Sequence, residues 1–440
     1  MVLSRRWFRW SHLVGLIGAC FSVACSSGEE EGGLGLGEGE LVLDERYAEA
    51  SLIDDLIEPS AVRETQDVDG QIVYCVDVDR QPGLLDRKTR QYRPLRSPPS
   101  IRAEVGLDTN EQVAYPGAAN CPLGTVPIPR VTQEQLARFD SVGDFFRKYP
   151  KFGQESVSPA DKEDSGTRGP IIIIPWHTGP TDQHQYAVVT RNVTNWGAGA
   201  VINVWNPAVE LNSEFSLLQI WAAGGSKDDN SLQTVEAGVQ KYPQMYGDSS
   251  PRIFIYSTRD NYKNWTNPGC YNNSCGDFVQ ISTTHYPGMK ISYFSISGGN
   301  QRVYEMLWLK DNDNGAWWLR IYGDWVGYYD RPLFSQAGIQ NRASRFDFGG
   351  AIIDNVSNGH TMADMGSGAF PSAGAGYAAY MRTLEYVWKN GGTAYLVAAA
   401  GMSTELTDAG CYDESYQHRA RPLNTTIFVG GPGYDLFNCR

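Results

Sequence analysis

Glu236 stands in the middle of residues 231–243, SLQTVEAGVQKYP, a stretch that alternates as a β-strand does. Leu232, Thr234, Glu236, Gly238 and Gln240 point one way, and Gln233, Val235, Ala237 and Val239 point the other. Val235, Ala237 and Val239 make a core face, which leaves Glu236 mid-strand on the more polar one. A carboxylate there is either a solvated group on a half-exposed sheet or one lining a cleft for acid/base chemistry. Other chemistries fail on spacing. DNDNG at 311–315 lacks the remaining ligands and closing glutamate of a calcium loop and reads as a hairpin turn. GGSK at 224–227 lacks the spacing of a phosphate loop, and no G-x-S-x-G frame surrounds Ser367. His177 and His184 have no third ligand in view, so neither a metal nor another cofactor is expected. If six cysteines form three bridges, no thiol is left as a nucleophile. Enzymatic chemistry here would rest on carboxylates.

The elements that must position Glu236 are strands. From Pro170 onward, QYAVVTRN, GAVINVWNP, EFSLLQIWAAGG, RIFIYST, GDFVQIST, MKISYFSISGG, RVYEMLWLKD, AWWLRIYG, DWVGYYD, SRFDFGGAIID and HTMADMGSG follow one another with turn residues between them. With no helical pattern interposed, they predict an all-β fold, an antiparallel β-sandwich over residues 171–440. With 24 Tyr, 12 Trp and 47 Gly in 440 residues, the composition suits pleated strands and tight turns better than long helices. Upstream, residues 62–150 read as a small α+β domain. IVYCVDVD and GTVPIPRVT are its extended pieces, and the segment 131–149 around QEQLAR is its helical patch. Residues 151–170 are charged, Gly/Ser/Pro-containing and almost free of large apolar side chains, which reads as a linker open to proteolysis. A net charge of -13 offers no basic stripe for nucleic acid.

The N-terminus speaks to compartment. Arg5, Arg6 and Arg9 precede an apolar run at 13–24 that is too short to span a bilayer but right for a signal sequence over residues 1–25. Small residues precede a cysteine at Cys20 and again at Cys25, as in the lipobox of bacterial lipoproteins. Cys25 is the expected lipidation site, because an acidic, flexible tether at 26–61 follows it. Simple cleavage and release is the other outcome. The chain is expected to be exported, as an outer-membrane lipoprotein or a periplasmic or extracellular protein, touching the membrane only through its lipid. Cys75, Cys121, Cys270, Cys275, Cys411 and Cys439 allow fifteen disulfide connectivities. Their order suggests 75–121, 270–275 and 411–439.

HQYAVV, AGAVINVWNP, EFSLLQIW, VEAGVQKYPQMYGD, PRIFIY, GCYNNSCGDFVQ, WWLRIYG, FGGAIID, HTMADMGSG and GGPGYDLFNC follow, in order, the pattern of the neprosin family of secreted glutamic peptidases. DGQIVYCVDVDRQPG and NCPLGTVPI resemble that family's N-terminal activation domain. The resemblance implies a latent precursor whose N-terminal domain covers the cleft and is cut in the linker at acidic pH. It further implies a metal-independent peptidase with two glutamates facing across the cleft, acting on proteins or peptides after proline. The chain is expected to be a monomer. One family glutamate falls on Glu236. The second closes a W-G-G-E motif, and this chain reads Phe348-Gly349-Gly350-Ala351. Ala351 has nothing to titrate. Asp347 lies about 13 Å back along the strand, too far to replace it directly. Asp364, where the family has Gln, would face Ala351 if residues 348–365 formed a hairpin turning at 356–359, and it is the expected substitute. Two functions remain in view: an acid-active endopeptidase using Glu236 with Asp364, or a sandwich that has lost catalysis and binds extended peptides or glycans in its cleft.

Overall fold

Alternation along each strand forces one face of every β-element into a shared interior, and two sheets satisfy that demand here. The computed structural model of the chain describes residues 61–81, 84, 98–101, 110–114, 119–148, 184–262, 269–356, 360–390, 392–418, 425–435 and 439. The expected signal sequence, both lipidation candidates, the tether, the linker and His177 lie outside them. The described residues belong to one compact unit.

The N-terminal part supplies β1 (Ala61–Gln66), β2 (Ile72–Asp77), β3 (Glu111–Val113), β4 (Thr125–Pro129) and the one-turn helices α1 (Gln133–Leu136) and α2 (Val142–Phe146). There follow β5 (His184–Asn195), β6 (Gly197–Asn203), β7 (Ser216–Gly224), β8 (Gln233–Lys241), α3 (Pro243–Tyr246), β9 (Arg252–Thr258), β10 (Cys270–Tyr271) and β11 (Phe278–Gln280). The chain continues through β12 (Gln301–Lys310), β13 (Trp317–Ile321), β14 (Asp324–Tyr329), β15 (Ala343–Ile353), β16 (Ala379–Asn390) and β17 (Thr393–Ala398). It closes with β18 (Ser403–Leu406), β19 (Asp413–Gln417) and β20 (Thr426–Gly430).

A front sheet runs in the order β10-β9-β8-β7-β15-β5-β18. A back sheet runs β11-β14-β13-β12-β6-β16-β20-β19, with β17 on β16 and β3 on β12. Val235, Ala237 and Val239 of β8 join Ile220, Ala222, Phe346 and Phe348 against Ala198, Met306 and Trp308 of the back sheet. Each large side chain buried there contributes roughly 1.5–3 kcal/mol. The all-β antiparallel sandwich expected from the sequence is the fold observed.

Several local expectations fail for physical reasons. MKISYFSISGG, 289–299, forms no strand: Tyr293 and Ile296 are exposed, and its amides reach carbonyls of separate segments, Ile291 to Pro251 and Ser295 to Val204. HTMADMGSG, 360–368, likewise contributes only a bridge from Met365 to Gly431. The strands after residue 378 escaped the sequence reading. In β16 the alternation is broken by a register shift between Arg382 and Glu385, where Thr383 takes a φ of 51°. The helical patch at 131–149 breaks into two single turns, α1 under a Thr132–Gln135 capping box and α2 under Ser141.

The N-terminal part wraps the sandwich. β1, β2 and β4 form a three-stranded sheet, stapled by Cys75–Cys121. Gln81 and Gln280 trade amide hydrogen bonds at 2.6 and 2.8 Å, the side chain of Gln81 serving edge strand β11 as a ladder partner. β3 lies parallel to β12, so one strand of this wrap is built into the back sheet, a sharing that strand patterns alone do not reveal. Its Glu111 accepts from the Arg382 guanidinium and from the Tyr380 hydroxyl at 2.6 Å, all buried. Removing one partner of such a pair leaves a buried charge uncompensated. Glu111→Ala is therefore expected to cost about 3–5 kcal/mol, read as a lower urea midpoint. An unchanged midpoint would show that the wrap is held elsewhere.

Candidate active site

The outer face of the front sheet carries Thr234, Glu236 and Gln240 from β8, Gln219 and Trp221 from β7, Asp347 and Ala351 from β15, and Phe254 and Tyr256 from β9. Registers make the rows explicit. Glu236 is level with Trp221 and Tyr256, and Trp221 is level with Asp347. Ala351 is level with Leu217, which faces Gln240. Strand parity thus puts Glu236 on the face away from the core, as the sequence predicts. That face is not solvated, however. Glu236 is 0% exposed, because the N-terminal wrap lies over it.

Val131, Leu136, Phe139, Phe145 and Phe146 of the wrap pack with Phe215, Tyr242, Met245 and Tyr271 of the sandwich. The ring of Phe139 meets that of Tyr242 edge-on at 6.3 Å. Just past α2, Lys148 drives its ammonium into the cleft. Its Nζ donates to Glu236 Oε2 and, at 2.8 Å, to Gln219 Oε1. Gln219 Nε2 donates to the same Glu236 oxygen at 2.9 Å. Glu236 Oε1 accepts from Thr234 Oγ1 at 2.7 Å and from the Tyr262 hydroxyl at 2.5 Å. Burial lowers the Lys148 ammonium from the ordinary lysine range, and the Glu236 charge and hydrogen bond oppose that shift.

Tyr262 is delivered by a strained turn. Asn261 and Tyr262 both take φ of 59°, a region costing a non-glycine residue about 1–2 kcal/mol. The Tyr262 amide donates to Thr258 Oγ1 at 2.8 Å, and its ring stacks on Tyr256 at 5.9 Å.

The glycines of FGGA are structural requirements. Gly349 has φ of 152° and any Cβ would meet the Ala187 carbonyl at 2.3 Å, while a Cβ on Gly350 would meet Met365 Sδ at 2.6 Å. They pin the register of Ala351, which is buried on the cleft face among Tyr186, Leu217 and Ile353. Asp347 is also on that face. Its Oδ1 accepts from Arg345 Nε at 2.7 Å, and Arg345 Nη2 donates to Glu405 at 2.8 Å. Burial pushes the Asp347 carboxyl up to about 6, with Arg345 and Thr190 opposing.

The expected hairpin between β15 and residues 360–365 does not form. β15 has β5 on one edge and β7 on the other, so neither edge is free for a third strand. Asp364 instead accepts from the Ala208 amide at 3.0 Å and feels the charge of Lys241, whose position on β8 has the opposite parity to Glu236. Asp364 is therefore not the residue facing Ala351. Asp347, set aside for its distance from Ala351, is level with Glu236 itself, two strands away and about 10 Å between backbones.

The Neprosin family model matches residues 212–432, half of the chain and the part that holds Glu236, Asp347 and Ala351. The chain belongs to the neprosin family. Family membership supports a peptidase. Among solved structures, this neprosin resembles Scytalido-glutamic peptidase with a peptide-based transition-state analogue, at 11% identity over 57% of this chain and 98% of that one, with a TM-score of 0.29. It also resembles SCP-B, a member of the eqolisin family of peptidases in complex with a tripeptide, at 12% identity over 56% and 96%, with a TM-score of 0.27. A homodimeric agglutinin from chicken liver matches at 13% over 37% and 90%, with a TM-score of 0.18. These likenesses are shallow, and the assignment rests on the family match.

Two of the expected disulfides, Cys75–Cys121 and Cys411–Cys439, are present. Cys275 is disulfide-bonded, while the side chain of Cys270 lies outside the described residues. His360 sits beside Cys411 and Cys439, but cysteines shared in a disulfide offer no thiolate to a metal. The sequence reading missed Gln219, Tyr262 and Lys148. A lone Gln inside SLLQIWAA was a signal for the first, and nothing local marks the other two.

His184, the first residue of β5, is expected to make stability depend on acid. Its ring stacks on Tyr186 at 5.8 Å and meets Phe215 edge-on at 5.8 Å. Burial first, then the charges of Lys148 and Lys227, hold its pKa well below 6.5. An unfolded histidine takes up a proton near 6.5 while the folded one does not, so its contribution is complete above 6.5 and is lost as pH falls below. Between pH 6.5 and 5, His184→Gln is expected to flatten the decline of the urea midpoint, by up to about 1.4 kcal/mol per pH unit. Parallel curves for the two proteins would contradict this.

Proposed function

We propose that this neprosin is a precursor of an acid-active endopeptidase in which Glu236 is the general base and Asp347 carries the second, proton-bearing carboxyl. The observation that supports it most is the level placement of the two on one cleft face, under a wrap that caps Glu236 with Lys148. Once the wrap is displaced, Glu236 takes a proton from a water as that water attacks the scissile carbonyl carbon. Protonated Asp347 donates to the carbonyl oxygen, and a proton passes to the nitrogen as the C–N bond breaks. Gln219, Thr234 and Tyr262 hold the Glu236 carboxylate in one orientation, which spares it reorganisation during proton transfer. The reaction as drawn uses no metal or cofactor.

The family resemblance adds cleavage after proline, activation by a cut in residues 151–170, and proteins or peptides as partners. Leader composition adds export with a lipid on Cys25, or on Cys20, and residence on a bacterial outer membrane or in the periplasmic or extracellular space. One observation favours a second reading. Ala351 occupies the family's glutamate position with an apolar side chain, which fits a cleft that binds extended peptides or glycans without cutting them.

Asp347 sets the sign of the pH dependence. Its raised carboxyl is protonated below about 6, so cleavage is expected to be sustained at lower pH and to fall as pH rises through that value. Acidified full-length protein should cut a proline-containing substrate, and Glu236→Gln and Asp347→Asn should each slow it by about 100-fold or more. Full activity in Asp347→Asn would remove Asp347 from the mechanism. No cleavage at any pH, together with cleavage gained by Ala351→Glu, would favour the binding reading.

A further inference from the structure

The walls around the Lys148 ammonium belong to the neprosin fold and not to the wrap. Besides the Glu236 and Gln219 oxygens, Nζ lies over three rings: Trp221 at 5.3 Å, Phe254 at 5.6 Å and Tyr256 at 5.9 Å. All five wall residues are at most 1% exposed. A carboxylate, an amide oxygen and three ring faces within about 6 Å of one point are what an alkylammonium requires in a dry site. An apolar residue would plug an apolar cleft at no electrostatic cost. Burying an ammonium costs several kcal/mol unless geometry and hydrogen bonds compensate it. The use of a lysine at 148 therefore reports on its walls.

We infer that the pocket around Glu236 is a binding site for primary alkylammonium groups, and that lysine side chains of peptides occupy it as Lys148 does. The inference rests on the proposed role of Glu236 in one respect: where Glu236 is the base, a peptide lodging a lysine here ties up the base and binds without being cut. Lysine-bearing peptides, including the excised segment ending near Lys148, are then inhibitors of the cleft and not substrates. The cleft thus discriminates against lysine at the subsite that reaches Glu236.

The test uses the full-length chain and n-butylamine as the probe, at pH 7. Lys148→Ala empties the pocket and should melt below wild type. Saturating butylamine should raise its Tm by about 3 °C, with no comparable rise in wild type, whose pocket is filled, or in Lys148→Ala/Glu236→Gln, whose carboxylate is gone. An equal rise in all three proteins, or none in Lys148→Ala, would overturn the inference. If Lys148→Ala does not fold alone, butylamine in the refolding buffer should raise its folded yield and leave the double variant unchanged; equal yields would count against the site. Because the readout is binding, amine rescue without proteolysis would sink only the catalytic proposal, and proteolysis without amine rescue only this one.

Discussion

One buried ion pair organises this molecule. The Lys148 ammonium and the Glu236 carboxylate, 2% and 0% exposed, come from positions 88 residues apart in the chain. Taking two charges out of water costs several kcal/mol each, so such a pair persists only where further hydrogen bonds and well-packed walls compensate it. Gln219, Thr234 and Tyr262 supply the hydrogen bonds, and the aromatic rings of β7 and β9 supply the walls. The rest of the N-terminal wrap is anchored separately, with β3 in the back sheet and Glu111 clamped to Arg382. The proposed latency would then be electrostatic occupation of the site and not only steric cover.

Two buried groups near this pair respond to acid. Burial displaces their protonation equilibria in opposite directions, His184 downward and Asp347 upward. Burial and the nearby lysine charges hold His184 neutral, so acid favours states in which its ring is exposed. Asp347 holds its proton below about 6 while buried, so acid also arms the proposed second carboxyl. Both groups are buried on the cleft side of one sheet. Burial acts on a neutral base and on a neutral acid in opposite directions.

Much of the site was legible in the sequence, and what was not has particular causes. Three small apolar residues, Val235, Ala237 and Val239, sufficed to turn Glu236 away from the core, because a strand's parity is a local property. Gly349 and Gly350 held the register of Ala351, since neither position tolerates a Cβ. Strand neighbours are not local. A hairpin that brings Asp364 opposite Ala351 needs a free edge on β15, and β15 is central, between β5 and β7. Asp347 is far from Ala351 along one strand, but it is level with Glu236 across strands. Lys148 was invisible: Arg147-Lys148-Tyr149-Pro150 carries no mark of a contact 88 residues downstream.

Hydrogen–deuterium exchange of the intact chain at neutral pH, comparing wild type with Lys148→Met, tests most directly whether this ion pair holds the cleft shut. Methionine keeps an unbranched side chain one atom shorter and removes its charge, leaving Glu236 buried without its cation. Amides of residues 131–148 and of β8 should then exchange at least about ten-fold faster, a loss of about 1.4 kcal/mol or more in local opening, while β12 and β13 stay protected. Unchanged protection over 131–148 would mean that apolar packing alone seats the wrap and that the ion pair is incidental to it.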